Sequence, residues 1–89
     1  MNDLTFDSGG WNDYLYWQTQ DRRTLKKINS ILDDIKRNGP MQGLGKPEPL
    51  KHGRSELYSR RIDEANRLVY SIDELQNIGI ISCRGHYED

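Results

Sequence analysis

The chain has 89 residues and a mass of 10.4 kDa, room for one small domain spanning 1–89, because a second would need its own core. Thirteen Lys and Arg stand against 14 Asp and Glu, a net charge of -1, which excludes the strongly basic footprint, a pI above about 9, of a typical nucleic-acid-binding domain. Leu, Ile, Val and Phe make up 19 of the 89 residues, about 21%, just above the roughly 20% below which a highly charged chain stays disordered. With two Trp and five Tyr adding buriable surface, the expectation is a folded domain with a thin core.

No stretch approaches the ~18 apolar residues of a membrane span. The residues Met1–Thr5 carry neither the basic nor the apolar region of a signal peptide, so a cytoplasmic protein with no membrane partner is expected. A single cysteine, Cys83, forms neither an intramolecular disulfide nor a Cys-based zinc site by itself.

In chain order, Leu4-Thr5-Phe6 alternates like a short strand, and Asp7-Ser8-Gly9-Gly10 breaks it with turn and helix-cap residues. From Trp11 to about Gln20, Trp11, Tyr14, Leu15 and Trp17 lie on or beside one helical stripe, and the aromatic residues Trp11, Tyr14 and Trp17 are assigned to the core. Asp21 then caps a second helix whose Leu25, Ile28, Ile31, Leu32 and Ile35 recur at spacings of three and four. Its outer face carries Arg22, Arg23, Lys26, Lys27, Lys36 and Arg37, a solvated face or an RNA contact, and Asn38-Gly39-Pro40 ends it. Met41 to Lys51, with Lys46-Pro47-Glu48-Pro49, reads as an extended, stiffened loop. The period then becomes two over Leu57–Ile62, Arg67–Ile72 and Ile78–Arg84, separated by Asp63–Asn66 and Asp73–Asn77, an antiparallel three-stranded meander. The order is β-α-α-β-β-β, an α+β domain. In the second meander strand Leu68, Tyr70 and Ile72 share a face opposite Arg67, Val69 and Ser71. If the last strand stays regular, Ile78, Ile80, Ser82, Arg84 and His86 oppose Ile81, Cys83 and Tyr87.

A carboxylate on a stiff loop (Glu48), a group of cations (Lys51, Arg61, Arg67) and a terminal imidazole (His86) form the set that metal-free transfer at a phosphodiester requires. Scission of RNA by its own 2′-hydroxyl needs a base at the nucleophile, an acid at the departing 5′-oxygen and donors for the nonbridging oxygens. His52, His86 and Cys83 fall at no recognisable zinc spacing, and Gly43-Leu44-Gly45-Lys46 lacks the P-loop spacing. Between Lys46 and Arg67 six basic residues face four acidic ones, so this stretch is locally positive within a near-neutral chain. The plain alternatives are surface pairs: Glu48 with Lys46 or Lys51, Arg67 with Glu64 or Glu56, Arg61 with Asp63.

Trp11-Asn12-Asp13-Tyr14-Leu15-Tyr16-Trp17-Gln18, Gly45-Lys46-Pro47-Glu48-Pro49-Leu50-Lys51, Ser59-Arg60-Arg61-Ile62, Arg67-Leu68-Val69-Tyr70 and Cys83-Arg84-Gly85-His86-Tyr87 together resemble the YoeB toxins of the RelE/ParE superfamily. The resemblance implies a RelE-like fold with two N-terminal helices packed on an antiparallel sheet. It also implies a bacterial type II toxin: an endoribonuclease that cuts mRNA in the ribosomal A site without a cofactor or metal, and that a YefM-like antitoxin neutralises in a homodimer or toxin–antitoxin hetero-oligomer. Carried over by position, Glu48 is the general base, with Lys51 as the alternative, and His86 the general acid. Arg67 stabilises the transition state, helped by Lys51 and Arg61, Tyr87 stacks on or orients a base of the message, and Lys46 and Arg84 are further RNA contacts.

Three departures stand out. Glu88 and Asp89 follow the His-Tyr pair with which the family typically ends, Asn66 stands where a histidine is frequent, and Gly85 where a bulkier residue is common. The competing reading is a non-catalytic toxin of the ParE type, with the same fold, that binds DNA gyrase; the combination of Glu48, Arg67, His86 and Tyr87 argues against it.

Overall fold

A computed structural model describes residues 3–50 and 57–85. Its elements are β1 (Leu4–Phe6), α1 (Ser8–Gln20), α2 (Arg22–Asn38), β2 (Glu48–Pro49), β3 (Leu57–Arg61), β4 (Arg67–Ile72) and β5 (Ile78–Ser82). They form one five-stranded sheet in the order β1-β5-β4-β3-β2. The meander β3-β4-β5 is antiparallel, as expected, and β2 joins β3 antiparallel, but β1 runs parallel to β5, so the sheet is mixed. A two-helix crossover makes this possible: the chain leaves β1, passes through α1 and α2, and does not return to the edge where it began.

Helix α2 follows its sequence pattern closely. The Asp21 carboxylate accepts from the backbone N–H of Arg23 and Thr24, and Ile28, Ile31, Leu32 and Ile35 are buried. Each such burial stabilises the fold by about 1.5–3 kcal/mol. Helix α1 starts three residues earlier than the apolar stripe suggests. Asp7 is its N-cap, accepting from Gly10 N–H, and Ser8-Gly9-Gly10 lie inside it. Gly10 sits against the carbonyl of Ile80, where a Cβ would collide with backbone, so the helix approaches β5 through a residue without a side chain.

The core joins α1, α2 and one face of the sheet through Trp17, Ile28, Ile31, Leu32, Ile35, Ile62, Leu68, Tyr70, Ile72, Ile78, Ile80 and Cys83. Trp17 belongs to it and Tyr14 packs on its edge, but Trp11 and Leu15 are exposed. The assignment of Trp11 to the core is therefore corrected: its ring meets Phe6 and Tyr14 in an aromatic cluster at the β1 end of the sheet.

The expected alternation of β5 also needs correction. Tyr70 faces Ile80 while Val69 faces Ser82, so Ile81 is an extra residue on β5. A β-bulge of this kind reverses the parity beyond it, which brings Cys83 to the helix side, fully buried. Burial pushes its thiol pKa up to about 12.

Candidate functional site

Strand pairing sorts the polar residues of the meander onto two faces. Arg60 opposes Leu68, and Tyr58 opposes Tyr70, on the helix side; Ser59 opposes Val69 and Arg61 opposes Arg67 on the other. Glu48 pairs with Ser59 across the β2–β3 edge, which places it on the second face too. The face away from the helices thus holds Glu48, Ser59, Arg61 and Arg67. It is not wholly exposed, for Ser59 and Val69 are completely buried.

The structure brings Glu48 and Arg67 together. Arg67 Nη1 donates to Glu48 Oε2 at 3.0 Å and to Ser59 Oγ at 3.3 Å. The Glu48 side chain is 55% exposed and that of Arg67 22%, so the carboxylate is open to a ligand while the guanidinium is half sunk in the sheet. The carboxylate that Arg67 meets is thus Glu48; Lys51 and Glu56, the other partners considered for this pair, lie outside the described residues. Asp63 accepts from the N–H groups of Ala65 and Asn66 in its own turn, which leaves no ion pair with Arg61 among the described residues. Arg61 is exposed and lies directly across from Arg67. Two cations in opposed positions repel one another, an arrangement that a bound anion relieves.

Lys46 is exposed and sits at positive φ beside Gly45. Gly45, at φ 81, passes so close to β3 that a Cβ would lie 2.7 Å from Arg61 O, and its carbonyl accepts from Arg61 N–H at 2.6 Å. A glycine is thus needed both for the conformation and for the approach, and the turn delivers Glu48 to the sheet edge three residues after Gly45.

Arg84 is placed apart from this pair. Its guanidinium stacks over the Tyr16 ring of α1, 3.6 Å from the centroid, a cation–π contact on the helix side. The segment around it is held from both sides. Cys83 N–H donates to Asp13, and Cys83 O accepts from Trp17 Nε1. Gly85 N–H donates to Asn66 Oδ1 at 2.7 Å, and Gly85 O accepts from Arg67 N–H at 3.0 Å. Asn66 accordingly fixes the chain beside Arg67. Lys51, His86 and Tyr87 lie outside the described residues. No group of three or more His, Cys, Asp or Glu suited to a metal ion occurs among the described residues, and no described helix is long and apolar enough to cross a membrane.

Two residues of this region escaped the sequence reasoning. Ser59 is the buried hydroxyl behind the ion pair; its signal was available, because alternation puts it on the face of Arg61. Arg60, the other half of the Arg-Arg pair, points the opposite way. It is completely buried and donates through Nε to Tyr70 Oη (3.0 Å), through Nη1 to Asp34 Oδ2 (2.6 Å) and Leu44 O (3.0 Å), and through Nη2 to Gly39 O and Gln42 O (both 2.8 Å). Burial acts to raise the Asp34 pKa, but hydrogen bonds from Arg60, Leu44 N–H and Asn38 outweigh it, and the carboxyl lies below its ordinary value. Burial pushes the Tyr70 hydroxyl up, which keeps it a donor to Pro40 O.

Known proteins resemble this chain in both sequence and fold. The family model of the YoeB-like toxin of bacterial type II toxin-antitoxin systems matches residues 6–87. The chain is 50% identical over 84 residues to a toxin YoeB of Escherichia coli O6:H1, covering 94% of this chain and 98% of that protein. It superposes on the YoeB dimer structure from Staphylococcus aureus with a TM-score of 0.89 at 45% identity, covering 97% of this chain and 98% of that one. On the heterotetrameric YoeB–YefM toxin–antitoxin complex from the same organism the TM-score is 0.86, also at 45% identity, covering 98% and 99%. With a match running almost end to end, the chain belongs to the family of YoeB-like toxins of bacterial type II toxin–antitoxin systems.

Proposed function

We propose that this toxin is a ribosome-dependent mRNA endoribonuclease that cuts the message in the A site by general acid–base catalysis and so stops translation in the cytoplasm. The observation that carries the reading is the Glu48–Arg67 pair, 3.0 Å apart on the sheet face away from the helices, with Arg61 opposite Arg67. A base and two cations on one open face are what attack of a 2′-hydroxyl on the adjacent phosphate requires.

In this mechanism Glu48 accepts the proton of the 2′-hydroxyl, and the 2′-oxygen forms a bond to phosphorus. Arg67 and Arg61 donate to the nonbridging oxygens as their charge grows, and the bond to the 5′-oxygen breaks. His86 donates a proton to that oxygen, leaving a 2′,3′-cyclic phosphate and a 5′-hydroxyl. Tyr87 orients a base of the message, Lys51 and Lys46 add positive charge along the strand, and Arg84 contacts RNA from its stack on Tyr16. No metal or cofactor takes part, because the guanidinium groups carry the electrostatic role. On binding, the phosphate takes the place of Glu48 at Arg67, which turns a resting ion pair into a base and an anion clamp.

By analogy with the S. aureus complex, a YefM-like antitoxin holds the protein in a hetero-oligomer, and the S. aureus dimer supports a self-associated free form. The net charge of -1 implies that docking in the ribosome, rather than general affinity for RNA, brings the message to the site.

The test is cleavage of a defined message on purified ribosomes. The parent protein yields cyclic-phosphate ends, and Glu48→Ala and His86→Ala lose cleavage while still binding antitoxin. Full cleavage by both variants overturns the assignment, and arrest of gyrase supercoiling without cleavage would move the protein to the ParE class.

A further inference from the structure

We propose that the buried Arg60–Asp34 pair on the helix side of the sheet is a positioning device for Glu48, setting the catalytic carboxylate against Arg67 through the loop that joins α2 to β2. The inference rests on the reading of Glu48 as the general base.

The α2–β2 connection, residues 39–47, has almost no regular structure, and Leu44 and Met41 are exposed along it. Such a segment adopts many conformations unless its backbone groups find fixed partners. Here they converge on one side chain. Gly39 O, Gln42 O and Leu44 O all accept from the Arg60 guanidinium, Pro40 O accepts from Tyr70, and Leu44 N–H donates to Asp34. A planar guanidinium suits this task because its donors radiate in one plane, and Asp34 balances its charge from α2. The loop's next contact is Gly45 O with Arg61 N–H, and Glu48 then pairs with Ser59 on β3. Arg60 and Arg61 are adjacent on the same strand and point to opposite faces. One anchors the loop from behind while the other faces the site in front, so a displacement of 39–44 is transmitted to Glu48 within four residues.

Two features favour positioning over bulk stability alone. A single hydrophobic residue fills a core at less desolvation cost than a charge, and Asp34 and Arg60 form a satisfied network rather than a lone pair, with no buried side-chain polar atom left without a partner among the described residues. Proton abstraction also depends steeply on the placement of the base, so a shift of about 1 Å costs on the order of 100-fold in rate.

The experiment is a double-mutant cycle read by single-turnover cleavage of ribosome-bound message with excess toxin, below the unfolding transition of every variant. Asp34→Asn keeps size and one acceptor oxygen but loses the charge. In the parent background it is expected to lower the cleavage rate about tenfold, with the half-saturating toxin concentration changed less than twofold. In a Glu48→Gln background the same substitution is expected to change the rate less than twofold, because there is no longer a base to misplace. Arg60→Lys, which cannot hold three carbonyls in one plane, is the second variant and should follow the same pattern. Equal losses in both backgrounds overturn the proposal and leave Arg60–Asp34 as fold stabilisers, and an unchanged rate for Asp34→Asn in the parent overturns it as well. Parental cleavage by Glu48→Gln would instead remove the base assignment on which the proposal stands.

Discussion

Arg60 and Arg67 each meet a carboxylate, on opposite faces of one sheet, in pairs of nearly the same length: 2.6 Å to Asp34 and 3.0 Å to Glu48. Their surroundings differ completely. Arg60 is buried, with four acceptors besides Asp34, and Asp34 itself is only 15% exposed. Glu48 is 55% exposed and has a single described partner. A pair whose partners are all internal has nothing left to offer a ligand; it stabilises the fold and holds the loop that leads to Glu48. A pair with an open, weakly committed carboxylate contributes little stability and can exchange its partner for a substrate. The same residue types therefore divide into scaffold and proposed site according to the strand parity of the Arg60-Arg61 dipeptide and of Arg67.

Removing the buried cation should break that contrast most severely. Arg60→Ala strands Asp34 and three loop carbonyls, so a loss of about 3–5 kcal/mol in unfolding free energy is expected in urea titration. Arg67→Ala should do the reverse. Its stability is expected to change by less than about 1 kcal/mol, while ribosomal cleavage falls roughly 100- to 1,000-fold for want of an anion donor. Replacement of Ile31, fully buried in α2, by Ala is expected to cost about 2–5 kcal/mol without altering the rate of the protein that remains folded.

Acid titration sharpens the same division. The folded Asp34 pKa lies below its ordinary value of 3.8, so between the two values the unfolded chain binds more protons. The Asp34 contribution is then complete above the ordinary value and is lost as the pH falls through the folded one. The stability gap between parent and Asp34→Asn should therefore narrow as pH is lowered from 7 toward 2 in chemical denaturation. Asp21, Asp63 and Asp73 are also held low by hydrogen bonds, so the variant keeps the rest of the acid limb. The smallest effect concerns Cys83: a buried thiol pushed up to about 12 should react with thiol reagents at neutral pH only as fast as the protein opens.

Much of this was legible in the residues. Helix α2 announced itself through five apolar residues at helical spacing and the Asp21 cap, and the meander through period-two runs separated by Asp- and Asn-rich turns. Met41 to Lys51 reads as an extended, stiff loop, yet the pairing of Glu48–Pro49 with β3 leaves no sign in the sequence, because Pro residues hide strand character and so short a ladder has no periodic trace. Parallel pairing of β1 depends on where the helices return the chain, which no local pattern encodes. The Ile81 bulge was equally silent, since an extra residue leaves composition untouched and shows itself only against the opposite strand. At the site, residue type and the family resemblance picked out Glu48 and Arg67. The burial of Arg60 was invisible because its five acceptors are mostly backbone carbonyls of a loop 16 to 21 residues earlier.

If the reacting groups stand on the open face and the buried pair serves them only through the fold and the loop that carries Glu48, loss of Arg67 should cost activity and little stability. Single-turnover cleavage of ribosome-bound message by Arg67→Ala, measured well below its unfolding transition, tests this most directly. The expected result is a loss of about 100-fold or more with an unfolding midpoint close to that of the parent; cleavage within twofold of the parent would show that Arg67 is not needed for the chemistry.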